Sequence, residues 1–211
     1  MELRVLAVGD VVGDGGLQCL EKHLRSLKKL YRADFCVVNG ENASGTGLTP
    51  RQADRMLDAG ADVITLGNHS FDRREICTYL DDCPYILRPG NLRPSLPGRG
   101  WGVFETKIGP VGVMNLLGRC NLDFRPDNPF LIADKILQEL QRTRERGFAI
   151  DNSEHELNVR CVGVPVYNAR GALVAGISSS GAVQVMTDRK VMECADILMG
   201  ITQRIKERLY A

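Results

Sequence analysis

The chain has 211 residues, 44% of them hydrophobic and 25% charged, so it can bury one sizeable core or two small ones. Its 27 Lys and Arg residues balance 26 Asp and Glu residues, which leaves no basic excess to favour nucleic acid or a membrane surface as a partner. Arg4 and Asp10 interrupt the first apolar stretch, so no signal peptide or spanning segment is predicted, and we expect a cytoplasmic protein. The seven cysteines form no CxxC pair, which predicts free thiols.

The first part of the chain alternates predicted strands and helices. Residues 3–8, 35–38 and 63–66 are apolar and rich in β-branched residues, as in buried strands. Leucines at helical spacing predict a helix over residues 16–32, and Thr49-Pro50 predicts the start of a second helix that ends at Gly60. The glycines before the first helix lack the spacing of known phosphate-binding loops, so residues 13–16 are interpreted as a turn.

The middle of the chain begins with a short predicted helix over residues 74–80. Residues 88–100 contain three prolines and three glycines and predict an irregular connection. A β-hairpin with arms at 101–107 and 111–116 follows, and then a helix from Pro129 to a stop at Gly147.

The last part of the chain has a different pattern. It predicts a strand over residues 148–150, a polar loop over 152–158, a hairpin with arms at 159–167 and 172–178, and a final helix capped by Thr187. The predicted fold class is therefore α/β: a mainly parallel sheet with flanking helices, joined to an antiparallel hairpin and a C-terminal helix.

Three short polar strings follow the first three predicted strands: residues 9–13, 39–42 and 67–69. The carboxyl ends of neighbouring parallel strands meet at one edge of a sheet, where open α/β folds bind ligands. The carboxylates, amides and imidazole in these strings suit a divalent metal ion that serves phosphate-ester chemistry. Capping of the strand ends and turn formation remain the alternative interpretation, because Asp, Asn and Gly favour both.

These strings belong to a longer series of motifs: GDVVG at 9, NGENASG at 39, LGNHSFD at 66, RPGN at 88, NLLGR at 115 and DNPF at 127. In these motifs, residues 1 to about 140 resemble the bacterial YmdB-like family of calcineurin-type metallophosphoesterases. The resemblance implies a two-metal phosphodiesterase or phosphatase. It implies that Asp10, Glu41 and Asn68 are metal ligands, with Glu41 bridging two ions, Asn42 alongside them and His69 as the proton donor.

That family completes its site with histidines in later motifs that resemble DFHAE and GTHTH, and this sequence has neither motif. Its other histidines are His23 in the first predicted helix and His155 in the polar loop. Rescue of a second metal position by Glu154, His155 and Glu156 is less favoured than a solvated loop. The expected cofactor is one weakly held divalent ion: Mn, Mg or Fe.

The rest of the chain has a second resemblance, carried by ERGFAID at 145, VRCVGVPV at 159 and ISSSG at 177. Residues from about 140 to 211 resemble the C-terminal half of the effector-binding domain of IclR-type transcription regulators. The resemblance implies a pocket for a small carboxylate such as a 2-oxo acid, lined by Asp151, Cys161, Ser178 and Ser180. The DNA-binding helix-turn-helix and the first half of that effector domain have no counterpart in the sequence.

A chimera, natural or engineered, explains both resemblances most economically. We predict portions at 1–140 and 141–211, joined within the helix from Pro129 to Arg146, either with separate cores or sharing one. The favoured interpretation is a non-catalytic scaffold with half of a metal site and half of an effector pocket. The alternative is a residual metal-dependent phosphodiesterase or phosphatase for small phosphodiesters such as cyclic nucleotides. The partners expected are a small phosphoester or a small carboxylate, without nucleic acid or membrane, and a homo-oligomer stays open.

Overall fold

The computed structural model describes residues 2–153 and 156–210, and the chain divides into two units, Met1–Ala133 and Asp134–Ala211. The first unit contains β1 (Val5–Val8), α1 (Gly13–Tyr31), β2 (Phe35–Asn39), α2 (Pro50–Ala59), β3 (Val63–Thr65), α3 (Ile76–Asp82), β4 (Ile86–Leu87), β5 (Trp101–Thr106) and β6 (Gly109–Met114). Helix α4 (Pro129–Arg146) spans the division between the units. The predicted boundary at residue 140 stays a prediction.

The first unit is built on a four-stranded parallel sheet in the order β1-β2-β3-β4. On one face, α1 and α2 bury a core that includes Leu17, Leu24, Val38, Met56 and Ile64. On the other face, the antiparallel hairpin of β5 and β6 packs Phe104 against Phe35, Val63 and Leu87. Burial on both faces explains why β2, β3 and β4 are almost continuously apolar, whereas β1 at the sheet edge is only partly covered.

Local sequence signals account for the two helices that support the sheet. Thr49 and Gln52 form a reciprocal capping box at the start of α2, and Gly60 ends α2 in the left-handed conformation at φ 113°. The prediction of a turn over residues 13–16 is wrong, because these residues form the first turn of α1. The amide of Gly16 already donates an i to i−4 bond to the carbonyl of Val12 at 3.1 Å.

The second unit contains an antiparallel sheet in the order β7 (Ala149–Asn152), β8 (Val159–Tyr167) and β9 (Leu173–Ala182), followed by α5 (Asp188–Tyr210). Alternate residues of β8 point to one face, where Val162 and Val164 are buried together with Val191 and Ala195 of α5. The amide of Lys190 lies 3.3 Å from Oγ1 of Thr187, in agreement with the predicted N-cap.

The predicted mixed α/β class is confirmed, with a parallel sheet first and antiparallel strands and a helix after it. One strand, β4, was not predicted, and other differences lie at element ends: β1 begins at Val5, and β9 continues to Ala182, four residues beyond its predicted end. All seven cysteines are free, as predicted. Among the described residues, no helix is long and apolar enough to cross a membrane.

Candidate metal centre at the carboxyl edge of the parallel sheet

The three polar strings meet at the carboxyl edge of the parallel sheet. Asp10, Glu41 and Asn68 follow β1, β2 and β3, which are neighbours in the sheet. Backbone hydrogen bonds join the first two strings: the amide of Val11 donates to the carbonyl of Asn39 at 3.0 Å, and the amide of Gly13 donates to the carbonyl of Asn42 at 2.9 Å. The sheet therefore brings these predicted residues to one edge.

The Glu41 carboxylate connects the second string to the third. Its Oε2 accepts a hydrogen bond from the backbone amide of His69 at 3.2 Å. It also lies against Gly67, where an added Cβ would come within 2.2 Å of Oε2 and 2.3 Å of Oε1. Only glycine leaves room for this carboxylate, so Gly67 is part of the site although it has no side chain.

Asn42 supports Asp10. Its Nδ2 donates a hydrogen bond to Oδ2 of Asp10 at 2.8 Å, while the Asp10 side chain remains exposed. An amide donor on one carboxylate oxygen fixes the orientation of the group and leaves its other oxygen for a cation. Asn42 thus has a positioning contact in addition to the place alongside the ions that the resemblance implies.

His69 has a carboxylate partner that was not among the predicted site residues. Its Nδ1 lies 2.7 Å from Oδ2 of Asp72, three residues along the chain. The pairing occupies Nδ1 and leaves Nε2 as the ring nitrogen for a ligand or substrate. Asp72 belongs to the LGNHSFD string, so its proximity in sequence to His69 was the signal that could have identified it.

Asn39 belongs to the second polar string but was not among the predicted site residues. Its Oδ1 is buried, and within the described residues it has no hydrogen-bond partner. Burying an amide oxygen without a partner costs about 1–3 kcal/mol. This atom lies at the end of β2, two residues before Glu41, and no described side chain donates a hydrogen bond to it.

By type and number, the predicted donors at this edge suit one divalent ion better than two. Asp10, Glu41 and Asn68 supply two carboxylates and one amide oxygen, a set of hard ligands that Mg²⁺ or Mn²⁺ accepts with water in the remaining positions. Across residues 2–153 and 156–210, no group of three or more His, Cys, Asp and Glu side chains is placed to hold an ion. The suggested rescue by the polar loop falls partly on Glu154 and His155, which lie outside the described residues.

The cleft seen in the first unit lies away from these residues. Its volume is about 930 Å³, and it opens at the amino edge of the sheet, where Phe35, Asp62 and Tyr85 are among its lining residues. None of the predicted metal-site residues lines it.

The four predicted effector residues lie on the antiparallel sheet of the second unit. Asp151, Cys161 and Ser180 are directly opposite one another on β7, β8 and β9, and Ser178 lies two residues before Ser180. Strand alternation places all four on the face opposite the buried Val162 and Val164. Both serines are exposed, so this face forms a polar row and not an enclosed pocket.

A family relationship accounts for the arrangement in the first unit. The sequence model of the YmdB-like protein family matches residues 6–155, or 150 of the 211 residues. The chain belongs to the YmdB-like family. The model of the C-terminal domain of IclR-type bacterial transcriptional regulators matches residues 113–207, which confirms the predicted two-part composition. The two matches overlap over residues 113–155, a segment that includes α4.

Individual relatives follow the same division. A 2',3'-cyclic-nucleotide 2'-phosphodiesterase of Bacillus subtilis is 39% identical over 140 residues, which cover 65% of this YmdB-like chain and 52% of the relative. The crystal structure of a phosphatase from Mycoplasma pneumoniae superposes with a TM-score of 0.59 at 31% identity, covering 66% of this chain and 51% of the other. The HTH-type transcriptional regulator BhcR of Paracoccus denitrificans is 28% identical over 112 residues, which cover 53% of this chain and 40% of the regulator. The chain spans about half the length of the curated phosphodiesterase relatives that it matches.

Proposed function

We propose that this YmdB-like chain binds one divalent cation at the carboxyl edge of its parallel sheet and hydrolyses small phosphodiesters there, with cyclic nucleotides as the substrate class. The observation that carries the proposal is the placement of the Glu41 carboxylate over Gly67 and beside the amide of His69. This contact joins the second and third strings, and it supports the proposal of a cation-binding edge. The name of the Bacillus subtilis relative supports phosphodiester chemistry more than it supports a scaffold without activity.

The residues of the edge have separate roles in this proposal. A bound divalent ion would supply charge neutralisation at the phosphoryl oxygens and activation of water. Asp10, Glu41 and Asn68 would hold the ion, with Asp10 oriented by the Asn42 amide. His69, oriented through Nδ1 by Asp72, presents Nε2 for donation of a proton to the leaving oxygen.

The expected metal is Mn, Mg or Fe, weakly held, because the later histidine motifs of the family are missing from the sequence. Fewer protein ligands mean weaker binding and a slower reaction than a complete two-metal site provides. The cytoplasm is the proposed compartment, supported by the absence of disulfides among the seven cysteines.

Hydrolysis of bis-p-nitrophenyl phosphate with added Mn²⁺ tests the proposal. We expect a rate that depends on Mn²⁺ in the parent chain and falls to background in Asp10→Ala. Asp58→Ala is the matched control, because Asp58 is an exposed aspartate on α2, away from the carboxyl edge. Equal rates in the parent chain and in Asp10→Ala would exclude catalysis at this site.

Binding of a small carboxylate by the second unit is a second candidate function. It is favoured by the register that places Asp151, Cys161 and Ser180 in one row across three strands. Hydroxyl groups on alternate positions of β9 can donate hydrogen bonds to a carboxylate on the same face. Calorimetry with glyoxylate or pyruvate tests this function, and we expect a binding heat that Ser180→Ala reduces. A flat titration at millimolar ligand would reject it.

A further inference from the structure

Strands β3 and β4 diverge where the third polar string, residues 67–69, begins. The last backbone hydrogen bond between these two segments is donated by the amide of Leu66 to the carbonyl of Leu87, at 2.9 Å. Beyond it, Leu66 continues into Gly67 and Asn68, whereas Leu87 continues into the irregular segment at Arg88. The carbonyl of Leu66 needs a donor from outside the sheet, because the ladder ends there.

Asn115 supplies that donor. Its Nδ2 donates hydrogen bonds to the carbonyl of Leu66 at 2.7 Å and to the carbonyl of Leu87 at 2.8 Å. A side-chain amide has two N–H groups, and both are used here. Asn115 therefore bridges the two segments at the point where they separate. It lies 49 residues from Leu66 in the sequence.

The backbone of Asn115 is itself fixed on both sides. Its amide donates to the carbonyl of Gly100 at 2.9 Å, and its carbonyl accepts from the amide of Gly90 at 2.7 Å. Gly90 and Gly100 cross so closely that a Cβ on Gly100 would come within 2.1 Å of the Cα of Gly90. Gly90 of the RPGN string and Gly100 thus fix the backbone of Asn115, the first residue of the NLLGR string, which the proposed chemistry does not use directly.

The residue that Asn115 holds precedes the metal-binding segment. Leu66 is followed by Gly67, which makes room for the Glu41 carboxylate, then by Asn68 and by His69, whose amide donates to Glu41. We propose that Asn115 is a positioning residue that fixes this segment and, through it, the Glu41 carboxylate for cation binding. The role in cation binding rests on the function proposed above, whereas the control of the segment does not.

Asn91 provides a matched control. Its Nδ2 also donates to two carbonyls, those of Leu117 at 2.7 Å and Asp127 at 2.9 Å, and its Oδ1 accepts from the amide of Leu117 at 2.8 Å. None of these contacts involves the three polar strings. Asn91→Ala therefore removes at least as many hydrogen bonds as Asn115→Ala but leaves the carboxyl edge without a direct change.

The experiment compares the parent chain, Asn115→Ala and Asn91→Ala by three measurements: thermal stability, Mn²⁺ affinity by calorimetry, and hydrogen exchange of the His69 amide without metal. Loss of a group that orients metal ligands commonly lowers metal affinity by about 10–100-fold, and we expect a loss in this range for Asn115→Ala. We expect faster exchange at His69 in the same variant. Asn91→Ala should lower the melting temperature at least as much, with Mn²⁺ affinity within about twofold of the parent.

Equal effects of the two variants on Mn²⁺ affinity, or no effect of either, would overturn the proposal. If the parent chain binds no Mn²⁺, the proposed function fails by itself, and exchange at His69 decides the positioning role: unchanged exchange in Asn115→Ala rejects it. If Asn115→Ala does not fold, Asn115→Gln replaces it. That variant keeps both donors on a longer stem, and we expect it to shift the Leu66 carbonyl and weaken Mn²⁺ binding in the same direction.

Discussion

The two candidate sites of this chain are built by different means. At the carboxyl edge of the parallel sheet, Asp10, Glu41 and Asn68 come from turns, and hydrogen bonds and close packing between those turns hold them. On the antiparallel sheet, strand register alone places Cys161 opposite Ser180. The site at the carboxyl edge, called the edge site, should therefore be disturbed by the gain or loss of a single atom. The row of residues on the antiparallel sheet should tolerate substitutions that preserve the strands.

The largest expected difference between the two regions is in thiol reactivity. Cys36 is buried in β2, and burial raises its pKa to about 11 from the ordinary value of 9.0. At pH 8, the folded state therefore holds about a hundredfold less Cys36 thiolate than an ordinary thiol would. We expect iodoacetamide to modify Cys36 much more slowly than the half-buried Cys161, as followed by peptide mass spectrometry.

The sign of the Cys36 effect follows from the raised pKa. The folded state favours the protonated Cys36 thiol more than the unfolded state does. The contribution of this preference to the free energy of unfolding is fully present below pH 9.0 and is lost as the pH rises through about 11. Comparable modification rates for Cys36 and Cys161 at pH 8 would show that the core of the first unit opens as easily as the exposed face of the second.

Gly67→Ala should damage the edge site most among substitutions that add a single carbon. The new Cβ would overlap the Glu41 carboxylate, which must then move away from the His69 amide. We expect Mn²⁺ affinity to fall by more than about tenfold and stability to fall by about 1–3 kcal/mol. Calorimetry and denaturant unfolding measure the two effects. Gly118→Ala is the control, because an added Cβ there meets nothing within 4 Å, and a similar affinity loss in both variants would argue against this packing.

Asp72→Asn should affect turnover more than binding. The substitution removes the charge that orients His69 through Nδ1 and leaves the predicted metal ligands in place. We expect kcat to fall about tenfold with KM nearly unchanged, because general acids contribute about 10²–10⁴-fold and Asp72 acts only through His69. Steady-state kinetics with bis-p-nitrophenyl phosphate measure this, and a rise in KM at constant kcat would point to a role in binding instead.

The smallest expected effect compares the helix caps of the two units. Thr49 takes part in a reciprocal capping box, whereas the contact from Thr187 to the amide of Lys190 is a single one at 3.3 Å. Thr49→Ala should cost about 1 kcal/mol and Thr187→Ala about 0.5 kcal/mol. Urea unfolding, with probes in each unit, measures both, and a larger loss for Thr187→Ala would reverse the expected order.

The success of sequence-based prediction differs between the elements and the site. Helix α2 was predictable because Thr49, Pro50 and Gly60 act within a few residues of the boundaries that they set. The edge location of Asp10, Glu41 and Asn68 was predictable because parallel strands align their carboxyl ends. Their roles as ligands stay predictions.

Contacts between distant segments were not predictable from local pattern. The bond from Asn115 to Leu66 spans 49 residues, and neither helical nor strand periodicity indicates it. The start of α1 was misplaced because glycines suggest a turn, whereas Gly16 continues the helical hydrogen-bond series from Val12. The exposure of Ser178 and Ser180 also depends on what covers the sheet, which strand alternation cannot specify.

Calorimetric titration of the metal-free chain with Mn²⁺, with metal content then measured by elemental analysis, tests the central claim most directly. We predict one ion per chain, bound weakly, and no binding in Asp10→Ala. A stoichiometry of two ions would show that the chain completes a dinuclear site with residues outside the three strings. The absence of binding, or binding unchanged in Asp10→Ala, would contradict a metal centre at the carboxyl edge.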